Sequence, residues 1–202
     1  MIVRRAIWST IICAVVVASS CTNRTSVPDH NNYTHIDSLT DTYLNLQDSL
    51  LITWNLMVKD ENEKLKSMHE LLQTMTSSDF FDKSQIVSIQ QRLEQVERIR
   101  FNQKTMSNPH VVEEYDFASN SLIAEIVSLA ESNSTFIQKK ELQSLIDYIN
   151  VADQRVNYYR SDYDSIAKKF NLFLEAHEIN MKDIDQNATH EKRPLFQMAS
   201  DN

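Results

Sequence analysis

Cysteine, histidine and closely spaced carboxylates are the side chains best suited to chemistry, and this sequence uses them sparingly. It has two cysteines, Cys13 and Cys21, and six histidines in 202 residues. A metal site within a helical bundle ordinarily draws on Glu-x-x-His pairs from facing helices, and no such pair occurs. His110 and Glu113 stand in the reverse order beside Pro109, and His69 adjoins Glu70 with Glu61 and Glu63 poorly placed to join it. Neither group supplies the converging donors a bound metal requires, so neither a metal nor another cofactor is expected. His177 continues an apolar stripe to a helix end, where a cation complements the macrodipole. Glu113-Glu114 read as solvated carboxylates, and no local motif suggests a Ser-His-Asp order. The expectation is a protein that is not an enzyme. One group has binding character: Arg155, Arg160, Asp162 and Lys168, with Arg155, Asp162 and Lys169 on one helical face. Such groups ordinarily make solvated ion pairs worth a few tenths of a kcal/mol each. The functional alternative makes Arg155, Arg160 and Asp162 a face that docks another protein. Tyr158 faces the same choice between core and interface, while Tyr159 and Tyr163 are expected to face inward.

The strongest chemical signal lies near the N-terminus. Arg4 and Arg5 precede a mostly apolar run from Ala6 to Ala18. Thirteen residues are short of the roughly twenty needed to span a bilayer, and they fit the apolar region of a secretory signal. Ala18-Ser19-Ser20-Cys21 follows, and small residues before a cysteine resemble the bacterial lipobox. There the thiol takes a diacylglyceryl group and a peptidase cuts just before it. Ala18 stands where that pattern usually has leucine. Residues 1–20 are therefore expected to leave as a signal peptide, and Cys21 to carry lipid. Each buried methylene adds about 0.8 kcal/mol of membrane affinity, so two or three acyl chains hold essentially permanently. Cys13 leaves with the signal and Cys21 is consumed, so the mature chain forms no internal disulfide. Thr22 follows Cys21 where an inner-membrane retention signal has aspartate, which favours the outer membrane, and no acidic cluster follows the cysteine, which favours the periplasmic face over surface export.

Composition narrows the fold. The chain has no glycine and three prolines, Pro28, Pro109 and Pro194. Hairpin turns and bulges need residues at positive φ, so a β-rich or α/β fold is not expected. Phosphate-binding glycine loops are excluded outright. Long helices can manage without glycine, with asparagine taking the left-handed C-cap position. The net charge is −8, or −10 once Arg4 and Arg5 are lost, a poor match to nucleic acid. No small-molecule substrate is evident.

Residues 21–35 are polar and read as a tether; 36–177 carry helical periodicity; 178–202 form a mostly polar tail, Ile184 and Arg193-Pro194-Leu195-Phe196 excepted. A first helix is expected over about Ile36 to Met75, capped by Asp37 or Ser38. Its apolar stripe skips past Glu61 and resumes at Leu65, a four-residue stutter. A second is expected over Asp79 to Met106, ended by Ser107-Asn108-Pro109, and a third over His110 to Glu131. The fourth carries Leu142, Leu145, Ile149, Ala152, Val156, Tyr159, Tyr163, Ile166, Phe170, Phe173 and His177, alternating three and four residues over about 54 Å. Four such helices with short connections predict an all-α fold, an antiparallel up-and-down four-helix bundle.

Arg155, Arg160, Asp162, Tyr163, Phe170 and Asn171 together resemble the C-terminal helix of the LemA family, with Asp164 where that family has asparagine. Arg193-Pro194-Leu195-Phe196 resembles the family's basic-proline-aromatic-phenylalanine ending, and Trp54 its first-helix tryptophan. Glu63 to Leu72 departs from the family's paired-arginine, leucine-isoleucine-proline-asparagine stretch. The resemblance covers about forty residues well. It implies a membrane-tethered, extracytoplasmic four-helix bundle and no established catalysis. The expected role is a non-enzymatic envelope lipoprotein that binds or scaffolds other envelope proteins. The alternative is a periplasmic chaperone or carrier with an apolar groove between helices. An enzyme would need polar groups converging inside the bundle, which the apolar stripes do not supply.

Overall fold

The computed structural model describes residues 34–186 and 190–196. The signal segment, Cys21 and the tether as far as Tyr33 lie outside them. Among the described residues every regular element is helical. Four helices are long: α1 (His35–Thr76), α2 (Lys83–Arg98), α3 (Pro109–Glu131) and, after the short α4 (Ser134–Ile137), α5 (Lys140–Ala176). A 3₁₀ turn at Thr105–Ser107 precedes α3, and a short α6 (Met181–Ile184) follows α5.

Side-chain oxygens start several of these helices. Asp82 accepts the Ser84 N–H at 2.8 Å ahead of α2, Asn108 accepts that of His110 at 3.1 Å ahead of α3, and Asn133 accepts that of Phe136 at 2.9 Å ahead of α4. Each satisfies a backbone donor that the first turn leaves without a partner. Pro109 sits at the head of α3, where its missing N–H does no harm. α1 begins at His35, so Asp37 lies within its first turn and is not its cap.

The helix ends differ from the left-handed asparagine caps expected above. The C-cap residues Ile99, Ser132, Gln138, His177 and Asp185 all keep negative φ. Serine hydroxyls close the carbonyls at the end of α1: Ser77 Oγ donates to Gln73 O at 3.0 Å and Ser78 Oγ to Met75 O at 2.8 Å. Asparagine works at the starts of helices instead.

The second helix also stops eight residues before Met106. Asn102 competes with helix there: its Oδ1 accepts the N–H groups of Lys104 and Thr105 at 2.9 and 3.0 Å, and its own N–H donates to Thr105 Oγ1 at 2.8 Å. The chain from 99 to 104 is thereby non-helical, and Phe101 turns inward.

Two apolar clusters form the core. One joins the later part of α1 (Leu65 to Met75) to α2, α3, Phe136 and the start of α5 as far as Ile149. The other joins the early part of α1 (Leu39, Tyr43, Leu50) to Met106, Val112, the later part of α5 (Tyr163 to Leu174) and Met181. Along α5 the buried line follows much of the expected stripe, with Ile146 and Ala167 buried while Leu145 and Ile166 are only half-buried.

Candidate functional site

The stripe of α1 lapses at Asp60 to Lys64, yet Asp60, Glu61 and Lys64 are buried. Lys64 is 2 % exposed, Glu61 5 % and Asp60 8 %. The Lys64 ammonium donates to Asp153 Oδ1 of α5 at 3.0 Å and to Ser119 Oγ of α3 at 3.4 Å, and it forms an ion pair with Glu61 Oε1 at 3.0 Å. The Tyr115 hydroxyl of α3 donates to the same Glu61 oxygen. Burial, then the Glu61 charge and hydrogen bond, push the Tyr115 phenol far above its ordinary range, so it stays a donor.

Two arginines of α5 extend this layer. Arg160 grips Asp116 of α3 with both guanidinium nitrogens, at 2.6 and 2.7 Å, the bidentate geometry that makes such pairs strong. The Arg160 guanidinium also lies 5.2 Å from the ring centres of both Phe101 and Phe196. Arg155 Nε stands 2.7 Å from Asp60 Oδ2, close as charges but not aligned as a hydrogen bond. Glu61, Lys64, Tyr115, Asp116, Ser119, Asp153 and Arg160 line a void of about 40 Å³, room for water but not for an organic substrate. Polar groups therefore do converge between helices, contrary to the expectation from the stripes. They arise at the stutter and from the polar flanks of α3 and α5, which periodicity counts as outward.

The expected docking residues separate in this geometry. Arg155 turns to α1 and Arg160 to α3, while Asp162 is exposed. Tyr158 is 71 % exposed, Tyr159 half-buried and Tyr163 buried. Reversing Arg155 and Arg160 to glutamate would set like charges against Asp60 and Asp116, so it would disturb the fold as well as any outer face. His69 pairs with Glu97 of α2 at 2.9 Å, and His110 approaches Glu113 at 3.8 Å with both largely exposed. Among the described residues no group of three His, Cys, Asp or Glu side chains is placed to hold a metal ion, and no helix is long and apolar enough to cross a membrane.

Beside the ion layer the chain's tail is clasped. Asn171 Nδ2 donates to Arg193 O at 2.9 Å, and its Oδ1 accepts the Arg193 N–H at 2.7 Å. Asp164, 3 % exposed, accepts the Phe196 N–H at 2.8 Å. The Phe196 ring stacks on Trp54 at 6.3 Å and meets Phe101 and Tyr163 edge-on at 5.5 and 5.6 Å. Arg193 lies over Phe170 at 5.6 Å. The apolar patch of an otherwise polar tail thus closes the second cluster. The Arg-Pro-Leu-Phe patch was the visible signal; Asp164 and Asn171 as its holders had none beyond the resemblance.

The class these features define is an all-helical domain with a buried ion layer and a clasped C-terminal segment. Comparison with protein-family models, curated proteins and solved structures finds no match for the chain.

Proposed function

We propose that this chain is a LemA-like, non-enzymatic envelope lipoprotein, tethered through lipid on Cys21, whose antiparallel up-and-down four-helix bundle binds or scaffolds other envelope proteins. One observation carries the reading. Arg160, Tyr163, Phe170 and Asn171, which bear the resemblance, are the residues that gather around Arg193 to Phe196, which bear its other half. Sequence positions more than twenty residues apart share one structural task, which supports reading the two parts of the resemblance together. The bundle topology draws support from the clusters: the start of α1 meets the end of α5, and the end of α1 meets its start. Of Arg155, Arg160 and Asp162, Asp162 is exposed and Arg155 partly so, whereas Arg160 is mostly covered. The outer-membrane location rests on Thr22 after Cys21, and the periplasmic face on the lack of an acidic cluster beyond the cysteine.

The test is intact mass spectrometry of membrane-extracted protein beside a Cys21→Ser form. A mature chain beginning at Cys21 with added acyl mass is expected, and the serine form should lack it. An unmodified precursor would overturn the anchor. Crosslinking in cells, with identification of the joined proteins, tests the scaffold role; a chain that never joins another envelope protein rejects it.

The carrier alternative draws on exposed apolar side chains: Val151, Tyr158 and Leu172 on α5, at multiples of seven residues. They line the outside of one helix, which favours a flat contact over an enclosed cargo groove. Release of bound apolar material on denaturing the purified protein would favour the carrier.

A further inference from the structure

The segment that ends the described chain is held as a peptide is held. It has no regular structure of its own from His190 to Leu195. Its main chain is read at two places, by both ends of the Asn171 amide and by the Asp164 carboxylate. An amide that grips one residue's N–H and C=O together recognises extended backbone whatever the side chain. Pro194, between the two grips, has no N–H to leave unmatched. Side-chain selection comes from two neighbouring features: the Phe170 ring under the Arg193 guanidinium, and the box of Trp54, Phe101 and Tyr163 around Phe196, with Arg160 on its face.

We propose that this cleft is a peptide-recognition site, that residues 192–196 are its resident ligand, and that a protein partner presenting an extended cation-proline-apolar-phenylalanine segment competes for it. The tail is a built-in competitor: attachment to the same chain gives it a high effective concentration, so the site admits a partner only when that partner is abundant or bound elsewhere as well. The site rests on the reading that the domain binds envelope proteins and names where one of them engages. Its recognition elements are independent of the lipid.

Trp54 reports directly on the cleft. The chain has two tryptophans, so Trp8→Phe leaves Trp54 alone. The probe is a capped synthetic peptide of residues 190–197, with a Phe196→Ala peptide as control. Two proteins are titrated: the full Trp8→Phe chain, and the same chain ending at Glu191. The truncated chain should show a saturable change in Trp54 emission. Binding should weaken at least tenfold, about 1.4 kcal/mol, with the control peptide or with Asn171→Ala in the protein. The full chain should bind the peptide at least tenfold more weakly than the truncated one. Should truncation abolish the helical signal, the same titration on the full chain carrying Phe196→Ala decides the matter. No saturation by about 1 mM peptide on a folded protein would make the tail a fixed part of the core and overturn the site. Equal binding by full and truncated chains would place the peptide elsewhere and overturn it too. Either failure, with crosslinks to envelope proteins retained, removes the cleft and leaves the scaffold reading standing.

Discussion

The two ends of the core are built from different materials. Around α2 the buried side chains are mostly aliphatic or methionine: Leu65, Met68, Leu71, Leu72, Met75, Ile86, Ile89, Leu93, Ile126 and Ile149. Around the tail, aromatic rings stand among the aliphatic side chains, with Tyr43 stacked on Phe170 and Phe173 at 5.7 and 6.3 Å, and Trp54 edge-on to Tyr163 at 5.9 Å. Helix lengths explain the difference. α1 has 42 residues and α5 has 37, but α2 has only 16. At 1.5 Å per residue α2 falls about 39 Å short of α1. Where α2 is absent, the irregular 99–107 stretch and the tail must cover the remaining helices. Irregular backbone offers no ridges to interlock with grooves, and large flat rings bury area without them. The lesson is that a missing length of helix can be replaced by rings and by main-chain hydrogen bonds to a returning strand of coil.

Breaking the layer between the two ends should have the largest effect. Lys64→Met leaves Glu61 buried without its cation, which should destabilise the domain by about 3–5 kcal/mol in urea unfolding. A companion variant that also carries Glu61→Leu and Tyr115→Phe, so that no buried hydroxyl loses its acceptor, should recover much of this, because a buried pair replaced by apolar groups is often neutral. A loss below about 1 kcal/mol for Lys64→Met would mean the layer is open to water. Next, Ile126→Ala at the aliphatic end should cost about 2–5 kcal/mol, against about 1–2 kcal/mol for the half-buried Phe196→Ala. Only the second should shift the Trp54 emission. Equal losses, or a silent Trp54, would erase the contrast drawn above.

The smallest effect concerns the start of α2. Hydrogen bonds from the Ser84 hydroxyl and N–H hold the Asp82 carboxyl below its ordinary value. A carboxyl depressed by folding contributes stability above its unfolded pKa, and that contribution disappears as pH falls through the folded value. Asp82→Asn keeps a capping oxygen but has no proton to gain. Its stability should therefore fall less between neutral and acid pH than that of the parent, as read from paired thermal melts. Identical pH slopes would show that Asp82 is not held by its cap.

Much of this was readable in the chain itself, and the omissions have physical causes. α5 was legible because its stripe never breaks, and α1 because Thr76 to Asp79 interrupts a long one. α2 was drawn too long, since Ile99 continues its period and nothing in a stripe announces that Asn102 prefers its own neighbours' N–H groups. α4 was missed, since Asn133 capping Phe136 makes a single turn too short to show a period. The ion layer was visible only as a skipped beat at Glu61. Its partners Asp116, Ser119 and Asp153 lie on helix flanks, and pairing across helices is a tertiary fact that no local spacing encodes. Arg155 and Arg160 stand out in the sequence as charges on one helix, readable as a solvated face or a docking face. Their partners turn out to lie on α1 and α3.

Lys64 and its neighbours have one more consequence. They divide the interior much as a bulkhead divides a hull, with greasy compartments on either side and paired ions between. Water that enters the aromatic compartment when the tail lifts meets charges already held by partners on neighbouring helices, so they gain less from hydration than free ions would. The first turns of α1 can fray and re-form while the half beyond Leu65 keeps its amide protons, so the molecule has a soft end and a hard one built from the same two continuous helices.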